Sequence, residues 1–115
     1  MDDRIRQAME ANRRGTSCSG SVLCAFREEL GLSEAEARRI ASPMAGGAMG
    51  TCGAVLAADY IAEKKGMPKG SVSRAFSDKN GNSECRVIRR ERLRSCNGCV
   101  EDASAILSDL LKDQK

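Results

Sequence analysis

Apolar residues recur along the chain at helical rather than alternating spacing, and residues that start or stop helices punctuate each recurrence. Ile5, Ala8, Met9 and Asn12 keep this spacing across residues 3–14, with Gly15 placed to end the helix. Thr16-Ser17 then offers an N-cap for a stripe of Val22, Leu23, Phe26 and Leu30 that stops at Gly31. Ser33-Glu34-Ala35-Glu36 is a capping box opening a third helix through Ile40 and Ala41, and Pro43, Gly46, Gly47 and Gly50 end it in a bend. After the bend, Thr51 is suited to cap a fourth helix with Cys52 in its first turn, running to about Lys65 before Gly66. Because Gly53 to Ala58 is small or apolar all round, this helix is expected to be buried, central and closely approached by its neighbours.

A short fifth helix is expected to begin at Pro68 and carry Val72 and Phe76 to the turn Asp78-Lys79-Asn80-Gly81. Ser83 caps a brief segment holding Cys85 and anchored by Val87-Ile88. The last helix follows Ser95-Cys96-Asn97-Gly98-Cys99 and puts Val100, Ala103, Ile106, Leu107 and Leu110 on one face. No alternating run is long enough for a sheet. The expectation is an all-α fold, a compact bundle of five or six helices in a single domain over residues 1–115.

One Tyr, two Phe and no Trp leave that core to aliphatic side chains. The net charge of +3 arises from 19 basic and 16 acidic residues that are interspersed, which names no partner. Arg86, Arg89, Arg90, Arg92 and Arg94 form a basic run, but no aromatic stacking residues or reading motif accompany it, so it reads as a solvated face and not a nucleic-acid site. The polar start and the lack of any membrane-length apolar stretch point to a cytoplasmic chain with no membrane partner.

Six cysteines in a reducing compartment suit metal binding or redox chemistry better than a disulfide scaffold. Histidine is absent, which excludes mixed Cys/His zinc sites, Cys-His nucleophile pairs and Cys-x-x-Cys-His haem attachment. Cys18, Cys52, Cys85 and Cys96 each follow a Ser or Thr at a predicted helix start (Ser17, Thr51, Ser83, Ser95), so four helix starts can point sulfurs inward together. The dipole there favours thiolates, better nucleophiles and better metal ligands than thiols. Cys24 falls on another side of its helix, near Leu23 and Phe26, and reads as a small buried hydrophobe. Met44 and Met49 flank the glycine bend, where they can shield a site from water.

With these motifs in order, the chain resembles the C-GCAxxG-C-C family of redox-active proteins, whose domain is similar to part of the split-Soret cytochromes. Cys18 stands before Val22-Leu23, Glu28-Glu29-Leu30-Gly31-Leu32 follows, and Gly46 to Ala54 supplies a Gly-Gly-x-Met-Gly bend with Cys-Gly-Ala. Cys85-Arg86 and Cys96 with Val100-Glu101-Asp102-Ala103 complete the resemblance, which spans roughly residues 15–111. It implies that Cys18, Cys52, Cys85 and Cys96 are the family cysteines and that Cys24 and Cys99 are additions. Ala57 replaces the last glycine of Cys-Gly-Ala-x-x-Gly, and no haem motif is present.

The resemblance implies a helical redox domain whose split-Soret relatives associate these cysteines with an iron–sulfur centre; the first reading of the chain is that the four cysteines hold a cluster, of the [2Fe–2S] kind, with Gly46, Gly47, Gly50 and Gly53 bringing backbone close to it. The activity expected is electron transfer with a donor or acceptor protein, and a homodimer would cover a cysteine site at the surface. The alternatives are a thiol-disulfide protein without metal, using Cys96 and Cys99 as a Cys-x-x-Cys at a helix start with Cys52 as a further partner, and a structural Cys₄ zinc protein. Both leading readings require the four sulfurs to converge, with Cys99 nearby and Cys24 outside.

Overall fold

The computed structural model describes residues 2–47 and 50–112, and among these it contains seven α-helices and two 3-10 helices with no strand. The α-helices are α1 (Asp3–Arg13), α2 (Cys18–Ala25), α3 (Glu34–Ala41), α4 (Gly53–Lys64), α5 (Ser71–Asn80), α6 (Cys85–Arg90) and α7 (Cys96–Lys112). The 3-10 helices are Arg27–Leu30 and Ser42–Gly47. The all-α expectation holds. Two short segments, α5 and α6, both complete their turns, which brings the number of helices slightly above the five or six expected.

Helices α1, α2, α4 and α7 pack on one another, α3 lies against α2, and α5 closes over α4 and α7. The core is aliphatic apart from its two phenylalanines: Val22 and Leu23 of α2 and Phe26 at its C-terminal cap cluster with Val55 and Ile61 of α4 and Val100 and Leu107 of α7, all fully buried. Helix α4 buries Gly53, Ala54, Val55, Ala57, Ala58, Ile61 and Ala62, as its small all-round surface predicts. Small side chains let neighbouring backbones come close, so burial is achieved by approach of helices more than by bulk.

Several boundaries depart from the sequence reading. The Val22 to Leu30 stripe does not lie on one helix, because α2 ends at Ala25 and a 3-10 turn carries Leu30 to Gly31, which ends it in the left-handed conformation. The capping box at Ser33 and Glu36 forms as expected. The glycine bend is largely a 3-10 helix containing Pro43, and Ala48 and Met49 lie outside the described residues, so the shielding role expected of Met49 does too. Helix α5 starts at Ser71, not Pro68. Its first N–H groups are capped from across the molecule, Asp59 of α4 accepting from Val72 N at 2.8 Å and Ser73 N at 3.2 Å.

Two of the predicted caps next to cysteines also differ. Cys52 is itself the N-cap of α4 and not a first-turn residue, and Glu84, not Ser83, is the N-cap of α6. Thr51 and Ser83 are used otherwise: Thr51 pairs with Glu84 in an isolated antiparallel bridge, and the Ser83 carbonyl accepts the Cys52 N–H at 2.8 Å.

Candidate functional site

That bridge is the first element of the site. The Cys52 N–H is bound to Ser83 on one side and the Cys85 N–H to the Gly50 carbonyl at 2.9 Å on the other, which seats the starts of α4 and α6 side by side. Gly50 has φ +92°, a backbone state that other residues rarely adopt, so it serves the turn that makes this pairing. Cys18 opens α2 behind its cap, the Ser17 hydroxyl accepting from Gly20 N at 3.1 Å. Cys96 and Cys99 lie in the first turn of α7, where the Ser95 hydroxyl accepts from Gly98 N at 3.0 Å. Between them, Asn97 turns to α1, its amide donating to the Met9 carbonyl at 3.0 Å and Asn12 at 3.1 Å, and so fixes the α7 start in place.

Five of the six cysteines, Cys18, Cys52, Cys85, Cys96 and Cys99, line one narrow cleft of about 30 Å³ with Ile88, Arg89 and Arg94. That space holds no more than about a water or two, so the sulfurs stand close together. Cys18 and Cys99 act electrostatically on Cys52, and Cys18 and Cys85 on Cys96. Cys18, Cys52 and Cys99 are buried, Cys85 is half-buried, and Cys96 is exposed at the mouth; no disulfide joins any of them. Gly53 is where the starts of α4 and α2 press together. A β-carbon there would sit 2.6 Å from Cys18 Sγ and 2.7 Å from the Met44 carbonyl oxygen, so only glycine fits without displacement.

The remaining site residues expected from the sequence are placed as follows. Gly46 and Gly47 end the 3-10 helix, while Gly50 and Gly53 act through the bridge and the close approach just described. Cys24 lies away from the cleft, in a groove with Gln7, Ala11, Ser21, Ala25 and Arg27, where it is half-buried. Arg89 and Arg94, read from the sequence as part of a solvated face, stand at the cleft wall. Asp102 was legible only as part of a motif. It is 2% exposed and accepts from Lys79 Nζ at 3.0 Å, Asn80 Nδ2 at 3.1 Å and Arg94 Nε at 3.0 Å.

For Cys52 and Cys96 the expectation of thiolates at helix starts is overturned. A hydrogen bond from Cys18 pulls the Cys52 thiol down, but its bond to Cys99, its burial and the nearby Cys99 charge outweigh this and push it up to about 11. Burial also raises Cys96, with Cys18 and Cys85 adding to the shift and Arg89 opposing it. A sulfur removed from water beside other ionisable sulfurs pays desolvation and like-charge repulsion, and one turn of helix dipole does not offset both. Among the described residues, no three Cys, Asp or Glu side chains are already arranged to hold a metal ion.

A protein-family model described as "Putative redox-active protein (C_GCAxxG_C_C)" matches residues 16–110. The chain belongs to this family. The C-GCAxxG-C-C match covers every element from the α2 cap to Leu110 of α7, and therefore all five cleft cysteines. Ala57, at the position of the family glycine, is fully buried in the core of α4. No curated protein and no solved structure matches the chain. No helix among the described residues is long and apolar enough to cross a membrane.

Proposed function

We propose that this member of the redox-active family is an electron-transfer protein whose Cys18, Cys52, Cys85 and Cys96 bind an iron–sulfur cluster, of the two-iron kind, with Cys99 as an adjoining fifth thiol. The observation that carries this reading is the cleft itself, in which four separate helix starts deliver five sulfurs to one place while Cys24 stays apart. The donor set fits: it is all sulfur, and soft thiolates are the ordinary ligands of such centres. The thiols share one narrow cleft, and each that ligates would release its proton on binding. Once bound, such a centre accepts and passes on one electron at a time.

The chain's own residues shape the site around this. Ile88 supplies an apolar wall, Arg89 and Arg94 supply positive charge, and the exposed Cys96 marks the side on which a donor or acceptor protein can approach. The test is purification or reconstitution without oxygen, followed by an absorption spectrum and analysis of iron, sulfide and zinc. Iron and sulfide in equal amounts with visible absorption support the reading; zinc alone identifies a structural Cys₄ site, and thiols free of both metals exclude a metal centre.

One juxtaposition favours a second reading. Cys52 and Cys99 line the same narrow cleft, so a metal-free form can act as a dithiol whose oxidation to a disulfide yields two protons and two electrons to a disulfide acceptor. The raised Cys52 thiol is a weak nucleophile at neutral pH, which is why metal binding is the leading reading. A Cys99→Ser variant that traps a stable mixed disulfide while free of iron would reverse that order.

A further inference from the structure

Asp102 is the most deeply buried charged side chain among the described residues, and it sits behind the thiol cleft rather than in it. It is held by three donors, of which Arg94 alone reaches the cleft. Arg94 Nε donates to one carboxylate oxygen at 3.0 Å and Nη2 approaches the other at 3.4 Å, while the same Nη2 donates to Glu101 at 2.8 Å. A fork bound in this way has little freedom to swing out, unlike a surface lysine on its flexible stem.

The backbone makes room for this arrangement. Gly98 lies between Cys96 and Cys99, and a β-carbon there would meet Arg94 Nε at 2.6 Å and Cζ at 2.8 Å. Gly98 is inside a helix, where alanine is ordinarily preferred, so its missing side chain is explained by the Arg94 side chain packed against it. Arg94 thereby lines the cleft beside the first turn of α7, together with Cys96 and Cys99.

We propose that Arg94, admitted by Gly98 and fixed by Asp102, is a positioning residue that makes the thiol cleft selective for an anionic metal–thiolate centre. This rests on the metal-binding reading above. Four thiolates outweigh the charge of a divalent ion or of a two-iron core, so the filled site is an anion in a mostly buried place and a fixed cation at its wall stabilises it. Partners in the shell around a metal site act by orienting ligands and tuning charge, and their removal typically weakens binding by roughly 10–100-fold.

The probe is Co²⁺, titrated anaerobically into the reduced protein and followed by its thiolate charge-transfer absorption, with far-ultraviolet circular dichroism to check helicity. Arg94→Gln should weaken Co²⁺ binding by roughly tenfold or more, and Arg94→Lys should recover only part of that loss, because it restores the charge but not the fixed fork. Gly98→Ala changes no charge but displaces the guanidinium, and should weaken binding in the same direction while helicity is kept. In iron-loaded protein, Arg94→Gln should also shift the reduction potential to more negative values.

The inference is overturned if Arg94→Gln and Gly98→Ala both bind Co²⁺ within about twofold of the parent, well inside the effect of a lost partner around a metal. It is equally overturned if Arg94→Lys is as weak as Arg94→Gln, which would mean that the fork shapes the fold and its charge is idle. Should Arg94→Gln not fold, Gly98→Ala and Arg94→Lys decide the matter by themselves. A parent protein that shows no thiolate–cobalt absorption removes the metal-binding reading and this inference with it.

Discussion

Replacing Gly53 by alanine tests whether the cleft depends on the contact between two helix starts. The new β-carbon would lie 2.6 Å from Cys18 Sγ and 2.7 Å from the Met44 carbonyl oxygen, against 3.4–4 Å for ordinary contact. The sulfur can rotate away, but the carbonyl belongs to the 3-10 helix Ser42–Gly47 and moves only with its backbone. Overpacking of this kind costs about 1–3 kcal/mol, and the helix preference of alanine over glycine returns at most about 1 kcal/mol, less at the first position of a helix. The net expectation is a loss of about 1–2 kcal/mol.

Urea unfolding in reductant, followed by circular dichroism, should show a lower midpoint with the slope unchanged. Adding Cys18→Ala to Gly53→Ala should relieve only the sulfur clash and leave part of the loss. A Gly53→Ala protein as stable as the parent would refute the reasoning, since neither contact could then be as close as described.

Three further outcomes follow from the site and its supports. Cys52→Ser and Cys96→Ser should each lose bound iron severely, Cys99→Ser should largely keep it, and Cys24→Ser should match the parent; iron analysis of anaerobically purified variants checks this, and iron retained by both of the first two rules out the four-ligand assignment. Asn97→Ala removes two hydrogen bonds from the α7 start to α1, so the urea midpoint should fall by an amount equivalent to about 1–2 kcal/mol, whereas no change would mean that α1 does not position α7. Finally, burial pushes the Asp102 carboxyl up, but bonds from Lys79, Arg94 and Asn80 pull it further down, and Asp2 is held well below the usual range, chiefly by Arg4. Groups lowered on folding bind protons more readily when unfolded, so their stabilisation is present above the ordinary value of 3.8 and fades as pH falls below it; Asp102→Asn should flatten that decline in an acid titration, and a midpoint that rises on acidification contradicts the sign.

Local signals carried much of the fold. The Ser33 capping box, the Ser17 and Ser95 caps and the Gly31 stop act within a few residues of themselves, and each is used as its chemistry predicts. What failed locally did so because a distant partner intervened. Thr51 and Ser83 are good caps in isolation, but the bridge between residues 51 and 84 recruits them into pairing two loops far apart in sequence. Helix α5 starts later than Pro68 because Asp59, on another helix, supplies its cap.

The cysteines divide along the same line. Their arrival together was legible, since helix starts at Cys18, Cys52, Cys85 and Cys96 are local features and the family pattern orders them. Their ionisation was not, because it depends on how much water each sulfur keeps and on which other sulfur it meets. Arg94 belongs with the illegible part. Eight residues separate it from Asp102 across the turn into α7, and Lys79 joins from α5, so no spacing rule marks the group.

The raised thiols bear on how such a site can work. A pair meant for thiol exchange needs an attacking thiolate near neutral pH, and a sulfur at about 11 in Cys52 is held almost entirely as thiol. On the metal-binding reading proposed above, a metal would supply the positive charge that burial withholds, and the crowding that suppresses ionisation would become ligation. Each coordinating thiol would then release a proton, so on that reading binding should strengthen as pH rises toward the thiol range. On the same reading, Arg89 and Arg94, which stand in the wall of a cleft otherwise lined by sulfur and isoleucine, would lessen the negative charge that accumulates there.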